Sequence, residues 1–100
     1  MFKAIILLKR RDDMTSDEFE NWWFNEHAPL AAELAGVRKI VFNKAEDGGA
    51  FDGVSELWFD SREAFDAAYA TDHGKAVAAD SIAHLADRQR LFVTEKEIVG

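Results

Sequence analysis

The sequence predicts a single α+β domain, residues 1–100, in which strands and helices follow in the order β-α-β-β-α-β. Three observations support this prediction. The chain has 100 residues, which is the size of one hydrophobic core. Four short segments are rich in β-branched and aromatic residues, and the stretches that join them show apolar residues at helical spacing. This order is that of the ferredoxin-like split βαβ fold, a four-stranded antiparallel sheet with its helices on one face.

The first strand and the first helix are marked by their flanking residues. Residues 2–9 (FKAIILLK) form a short β-branched run between charges, which is typical of a strand. Thr15, with Glu18 three residues later, forms a capping box, so we expect a helix to begin there. Pro29 cannot continue an ideal helix and disfavours helical angles at the preceding residue. We therefore expect the helix to kink or restart near His27.

The rest of the chain alternates strands with a second helical region. Gly36 is the residue expected to end the first helical region. Asp60 and Glu63 repeat the capping pattern, so a second helix is expected to start at Asp60. Gly74 is expected to interrupt that helix before a further helical stretch at residues 75–86. The remaining strands are predicted at residues 37–43, 54–59 and 90–99.

Composition and charge exclude several classes of function. A net charge of −7 argues against nucleic acid or an anionic membrane surface as partner, because either would require a basic surface. The absence of cysteine excludes disulfides, thiolate nucleophiles and zinc–sulfur sites. The apolar run of the first strand is too short for a membrane span, and the glycines form neither a P-loop nor a dinucleotide fingerprint. We expect a cytoplasmic protein without nucleotide, flavin or other cofactor.

Both faces of the predicted sheet carry apolar side chains. In the first strand, Ala4 and Ile6 alternate with Ile5 and Leu7. A sheet covered by helices on one face should be polar on the other. An uncovered apolar face would form a patch on the order of several hundred Å², which is the scale of an interaction site. The simplest cover is a second copy of the chain packed sheet to sheet, so the sequence predicts a two-fold homodimer.

A single carboxylate indicates which face borders a cavity. Glu56 shares a strand face with Val54 and Trp58. A carboxylate turned towards the helices would be buried at high cost unless it were paired. In the space between two sheets, water or a partner residue can reach it, so we expect this face to be the cavity side.

Five segments of the chain occur in this order: "MTSDEF", "HAPLA", "GVRKIVFN", "DGVSELWFDS" and "FVTEKEIV". Through these segments the chain resembles EthD-like proteins, a family within the dimeric α+β barrel superfamily. The resemblance covers most of the chain and rests on the order and spacing of the segments. It implies a ferredoxin-like fold that dimerises through its sheets into a barrel. The relatives include cofactor-free methylmuconolactone isomerases, cyclases and small monooxygenases, together with members of no known activity.

The resemblance makes His27 and Glu56 the candidate catalytic residues. His27 matches the histidine of the family's H-x-P segment, which in the isomerase branch lies in the active pocket. Glu56 matches a carboxylate common in the family's ELWF strand. The imidazole would act as a general base or acid, although a histidine near a helix turn is also a common structural residue. Glu56 would orient that imidazole, stabilise its charged form or act as the partner acid.

Four further side chains are candidate contacts to a ligand: Trp23, Trp58, Tyr69 and His84. Trp58 shares the face of Glu56 and is expected to form a ligand wall. Trp23 lies one helical turn before His27, but its spacing also fits a buried helix stripe. Tyr69 could offer its phenol to a ligand, or it could be a core residue with its hydroxyl at the surface.

One carboxylate–histidine grouping has the spacing of a metal site. Asp80, His84 and Asp87 lie at positions i, i+4 and i+7, which would place two carboxylates and one imidazole on one helix face. Such spacing arises often in an acidic chain, and Asp87 could lie beyond the end of the helix. We favour a solvated helix face and predict no bound metal.

The leading functional hypothesis is a dimeric barrel that binds a small, largely apolar organic molecule, cyclic or aromatic. It would act on that molecule without a cofactor, by proton transfer of the isomerase or cyclase type. The first alternative is a non-catalytic accessory or binding protein whose pocket is filled by its own aromatic residues. The second alternative is a cofactor-free monooxygenase.

Overall fold

The computed structural model describes all 100 residues of the chain. The four strands form one antiparallel sheet in the order β2-β3-β1-β4, as the ferredoxin-like fold requires. The elements in chain order are β1 (Phe2–Arg10), α1 (Ser16–Asn21), a π-helical segment (Trp22–His27), α2 (Ala28–Ala31), β2 (Lys39–Lys44), β3 (Gly53–Phe59), α3 (Arg62–Ala70), α4 (Asp72–His84) and β4 (Leu85–Thr94).

The strand register divides the side chains of the sheet between two faces. Ala4 of β1 lies opposite Leu57 of β3 and Phe92 of β4. Ala4 and Leu57 belong to the hydrophobic core, which the aromatic residues of the first helical region complete. The opposite face, called the open face below, retains partly exposed apolar residues, and Leu91 is 52% exposed there. The open face consists of Lys3, Ile5, Leu7, Lys9, Lys39, Val41, Asn43, Val54, Glu56, Trp58, Asp87, Gln89, Leu91 and Val93.

The predicted capping box is confirmed, and a new α-helical segment starts at Ala28, as the predicted restart near His27 requires, whereas the expected loss of helical angles before Pro29 is wrong. The Thr15 side chain accepts a hydrogen bond from the Glu18 amide, and the Glu18 carboxylate accepts one from the Thr15 amide. The residue before Pro29 keeps helical angles (φ −55°, ψ −43°), and its amide donates to the carbonyl of Trp23, five residues earlier. This wider π-helical turn accommodates the proline ring, which would clash with a carbonyl in an ordinary α-helical turn. The helical path therefore continues through His27.

The second helical region begins and breaks at other residues than the sequence indicated. The N-cap of α3 is Ser61, whose hydroxyl accepts from the Ala64 amide. Asp60 instead accepts hydrogen bonds from the Arg38 guanidinium. The break lies at Thr71, which ends α3 and caps α4. Gly74 is inside α4, where its missing side chain lets the two helices approach closely.

Two other boundaries differ from the prediction. The first helical region ends at Ala31 and is followed by turns, and Gly36 adopts a positive φ of 77°. The last helix ends at His84, so that β4 begins five residues earlier than predicted. Strand segments are ambiguous at their ends, since alternation alone does not fix where pairing starts. No helix has the length and apolar character needed to span a bilayer.

Candidate functional site

His27 is buried at the end of the π-helical segment and forms a close hydrogen bond with a carboxylate on α4. Its Nδ1 lies 2.8 Å from Oδ2 of Asp80. The same carboxylate oxygen accepts a hydrogen bond from Nε1 of Trp22 at 3.1 Å. Because an ionised carboxylate can only accept, the proton lies on Nδ1 of His27 and Nε2 carries the free lone pair.

The π-helical geometry explains why Trp22 and His27 act together on Asp80. Residues five apart share a face where the backbone bonds run from i to i+5. The two rings have centroids 5.0 Å apart and both are buried. In an ordinary α-helix, Trp23 rather than Trp22 would lie one turn before His27. The widened turn thus selects which tryptophan shares the carboxylate.

The second nitrogen of His27 points to a hydroxyl. Oγ of Ser81 lies 3.3 Å from Nε2, and both residues are buried. Ser81, His27 and Asp80 therefore form a serine–histidine–aspartate chain of hydrogen bonds. Ser81 lies inside α4, where its amide is used by the helix, so this serine lacks the pair of free amides that a nucleophilic serine uses as an oxyanion hole. The chain of bonds is better suited to holding and moving a proton.

Burial lowers the pKa of His27 below its ordinary value of 6.5. The loss of solvation is the largest cause, and the Asp80 carboxylate opposes it in part by stabilising the charged form. At neutral pH the imidazole is therefore neutral, and its lone pair on Nε2 accepts a hydrogen bond from the Ser81 hydroxyl.

A narrow cavity lies beside His27 and Ser81, between the helices and the sheet. Its free volume is about 10 Å³, which is room for about one water molecule. Phe42, Tyr69 and Arg88 are the lining residues that remain partly exposed, so solvent reaches the cavity on their side. The cavity is lined by Ile6, Leu8, His27, Ala31, Phe42, Ser55, Leu57, Tyr69, Ser81 and Arg88.

Two ionisable residues other than His27 contribute to the lining. Burial raises the pKa of the Tyr69 phenol, so Tyr69 is a neutral hydrogen-bond donor at physiological pH. Burial lowers the pKa of the Arg88 guanidinium, and the nearby Arg90 lowers it further. The lining thus combines an apolar frame with a base, a phenol, two hydroxyls and a cation.

Residues 11–89 match the family model of the EthD domain. The chain belongs to the EthD family. The fold is similar to the crystal structure of an EthD-family protein from Bacillus halodurans C-125, with a TM-score of 0.85 and 26% identity over 96% of this chain and 99% of that chain. No curated protein matches the chain.

Two more distant structures share the fold of this EthD domain. One is a dimeric ferredoxin-like protein of unknown function from Thermobifida fusca YX, with a TM-score of 0.76 and 21% identity over 94% of this chain and 90% of that chain. The other is a variant of SnoaB, a cofactor-independent oxygenase from Streptomyces nogalater, with a TM-score of 0.75 and 16% identity over 98% of this chain and 95% of that chain. These similarities confirm the ferredoxin-like fold of the EthD domain.

The EthD chain does not bring its two predicted catalytic residues together. Glu56 lies on the open face, where it forms an ion pair with Lys3 at 2.6 Å and accepts a hydrogen bond from Asn43 at 2.9 Å. The hydrogen bond to Lys3 is the largest cause that lowers the pKa of Glu56. The cavity beside His27 is on the helix side of the sheet. Within one chain, the carboxylate that contacts the imidazole is therefore Asp80, and a role of Glu56 beside His27 stays a prediction.

The predicted ligand contacts are spread over three environments, and only Tyr69 lines the cavity of His27. Trp23 is fully buried in the core, with its ring stacked on Phe42 at a centroid distance of 4.5 Å. Trp58 lies on the open face, where the Lys3 ammonium sits 4.6 Å from its ring centroid. Its Nε1 donates to the carboxylate of Glu95.

His84 lies outside the cavity, on the outer surface of the EthD domain. Its ring stacks on Trp22 at a centroid distance of 4.6 Å, and its Nδ1 donates to the Asp80 carbonyl at 2.8 Å. Asp87 lies on β4 rather than on α4, so the three residues with metal-site spacing do not share a helix face. The structure contains no group of three or more histidine and carboxylate side chains that could hold a metal ion.

Sequence reasoning missed Asp80, Ser81 and Arg88 as parts of the site. The spacing in the sequence indicates Asp80 only as a candidate metal ligand with His84. The His27–Asp80 contact joins residues 53 positions apart in the chain, and no local pattern announces it. The adjacent polar residues Asp80 and Ser81 were a weak signal. They lie on a helix that must bury one face, and a buried polar side chain needs a hydrogen-bond partner inside the protein.

Proposed function

We propose that this EthD-family protein binds a small, largely apolar cyclic or aromatic molecule beside His27 and transfers a proton to or from it without a cofactor. The observation that carries this proposal is the state of His27. Its imidazole is neutral, its Nδ1–H is held by Asp80, and its Nε2 contacts Ser81, which lines the cavity together with His27. A positioned base of this kind is the requirement of general acid–base catalysis.

In this proposal each polar group has one task. Nε2 of His27 removes a proton from an acidic C–H or O–H group of the ligand. Asp80 stabilises the imidazolium that results, because its charge lies 2.8 Å from Nδ1. The Tyr69 phenol donates a hydrogen bond to the oxygen on which negative charge develops. Ser81, which donates to Nε2 in the free protein, turns aside when the ligand binds. Return of the proton to another atom completes an isomerisation.

The small cavity is the observation that favours the non-catalytic alternative. A free volume of about 10 Å³ holds no cyclic molecule. The partly exposed side chains of Tyr69 and Arg88 must therefore change conformation to admit a ligand. If these side chains do not move, the aromatic residues fill the pocket and the protein serves as an accessory or binding module.

The oxygenase alternative shares its first step with the leading proposal. A ligand deprotonated by His27 would be electron-rich and could itself reduce dioxygen, as a cofactor-independent enzyme requires. The similarity of the fold to SnoaB, a cofactor-independent oxygenase, is the observation that supports this alternative. Oxygen uptake with the same ligands, measured at an oxygen electrode, distinguishes it from isomerisation.

The proposal can be tested before the natural ligand is known, by following hydrogen–deuterium exchange. Small cyclic ketones and unsaturated lactones are incubated with the protein in D₂O, and loss of their acidic C–H signals is followed by NMR. We expect exchange above the buffer rate with the wild type and a loss of about 10²–10⁴-fold in His27→Gln. His73→Gln is the matched control, because His73 donates to the Leu30 carbonyl, away from the cavity, and it should keep the activity. The accessory role would be favoured if exchange persisted in folded His27→Gln. It would also be favoured if the wild type catalysed exchange of none of the probe molecules.

We further propose that the open face is covered by a second copy of the chain. The support is its exposed apolar surface, including Leu91 at 52% exposure, and the dimeric state of the Thermobifida relative. Light scattering should give twice the 11.3 kDa chain mass. Leu91→Asp should dissociate the dimer, whereas Ile82→Asp, at an exposed apolar position on α4, should leave it intact. A wild-type monomer would refute the proposal.

A further inference from the structure

Arg88 is a cation without an anionic partner beside the cavity. Its guanidinium makes no ion pair or hydrogen bond with any carboxylate of the chain, although the chain carries 19 acidic residues against 12 basic ones. Asp87, the adjacent acid, accepts hydrogen bonds only from the Arg88 backbone amide and from Gln89. The charged side chain with the largest electrostatic effect on Arg88 is another cation, Arg90, and its repulsion disfavours the charged form of Arg88.

The position of Arg88 follows from the strand register. Arg88 lies opposite Leu8 of β1, and Leu8 is almost completely buried on the helix side of the sheet. Every second residue of β4 points to that side, which directs the Arg88 side chain to the cavity wall that also carries His27, Ser81 and Tyr69.

An arrangement of this kind reduces the stability of the free protein. A partly buried charge that has lost water and gained no counter-ion is unfavourable, and the Arg90 charge adds to the cost. Replacement of such a residue by a neutral one removes this cost. A residue that costs stability in the free state is typical of a site that awaits a ligand of opposite charge.

We infer that the ligand of this cavity is an organic acid, in which an apolar ring carries one carboxylate that the Arg88 guanidinium binds through two parallel hydrogen bonds. The inference rests on the proposed function only for the location of the ligand, beside His27. A planar guanidinium matches a carboxylate in bidentate geometry better than it matches any neutral group. The apolar lining from Leu8, Phe42 and Leu57 suits the ring, and the single cation suits a single negative charge.

The test compares an acid with its neutral isostere. Isothermal titration calorimetry at pH 7 measures the affinities of benzoate and benzamide, which differ in charge but hardly in shape. We expect the wild type to prefer benzoate about 10- to 100-fold, as for hydrogen bonds to a charged group. Arg88→Gln should abolish the preference, and Arg88→Lys should keep a weaker one, since it retains the charge but not the fork. Benzoate should also shift the imidazole NMR signals of His27, which places it in the cavity.

The matched control is Arg90→Gln. Arg90 lies on the same strand face, but its guanidinium is placed over Phe92, 5.8 Å from the ring centroid, and does not line the cavity. It should keep the preference for benzoate. Thermal unfolding supplies a second readout, because Arg88→Gln should be at least as stable as the wild type, whereas a structural arginine would leave a less stable protein.

Several results would overturn the inference. They are equal affinities for benzoate and benzamide, no saturable binding of benzoate, loss of the preference in Arg90→Gln as well, or unfolding of both Arg88 variants. The outcome is separable from that of the proposed catalysis. A wild-type protein that prefers benzoate but exchanges no protons would keep this inference and lose the catalytic proposal.

Discussion

Substitution of Asp80 tests the centre of the site, because two buried donors depend on one carboxylate oxygen. Asp80→Asn preserves shape and can still accept with its amide oxygen, but it removes the charge. Asp80→Ala removes the acceptor for both Nε1 of Trp22 and Nδ1 of His27. The two donors belong to residues that are 2% and 6% exposed, so water cannot easily replace the carboxylate.

The magnitudes of the two substitutions should differ. A buried donor left without a partner costs about 1–3 kcal/mol. Asp80→Ala leaves two, so the free energy of unfolding should fall by about 2–6 kcal/mol. Asp80→Asn exchanges charge-assisted bonds for neutral ones, and we expect a loss of about 1 kcal/mol, since charge-assisted bonds are roughly twice as strong. Asp66→Asn is the control, because its ion pair with Arg62 is exposed and loosely made at 3.5 Å, and it should change stability little.

The assay combines urea unfolding with ¹⁵N NMR of the imidazole. In the wild type the spectrum should show His27 neutral at pH 7 with its proton on Nδ1. Asp80→Ala should lose this preference, and the pKa of His27 should fall further, since Asp80 is the group that raises it. If folded Asp80→Ala kept both wild-type stability and the Nδ1–H form, Asp80 would not orient the imidazole and the proposed mechanism would lose its basis.

The remaining predictions concern pH, packing and capping. Because folding lowers the pKa of His27 below 6.5, the unfolded chain binds that proton more readily. The free energy of unfolding should therefore fall as pH drops from about 7 towards the folded pKa, and His27→Gln should flatten this part of the curve. Gly74→Ala should destabilise by about 1–3 kcal/mol in urea unfolding, because its Cβ would clash with the carbonyl oxygen of Ala68. Gly48→Ala, with open space around it, should not. Thr15→Ala should cost about 1 kcal/mol in the same assay through loss of the cap.

The sequence was sufficient for the fold because the fold depends on local and periodic signals. The capping box at Thr15 acts over three residues, and the alternation of Ala4 and Ile5 acts over two. Both survive in the structure. The prediction failed where the chain departs from regular geometry. The π-helical segment allowed Pro29 to stay in a helix, a possibility that a rule for α-helices does not contain.

The site was less predictable because its contacts are long-range. Asp80 and Arg88 come to His27 from α4 and β4, and only the packing of the helices on the sheet sets their distances. The expected cavity on the Glu56 side lies between two chains and stays a prediction. Glu56 was placed where a carboxylate could meet water or a partner, and it does meet one, Lys3 on the neighbouring strand. The ion pair with Lys3 satisfies the Glu56 carboxylate, so the position of Glu56 does not by itself require a cavity on that face.

The same distinction limits what membership of the EthD family says about chemistry. Relatives with 16% and 26% identity keep the fold, because many different apolar side chains can fill a core of the right volume. A site admits no such freedom, since proton transfer needs one base at one distance from one ligand atom. In the proposed function, the imidazole of His27, oriented by Asp80, is the base, and the unpaired guanidinium of Arg88 binds the carboxylate of the ligand. Function in this chain therefore depends on whether both groups engage the same molecule, and the benzoate and proton-exchange measurements address the two groups separately.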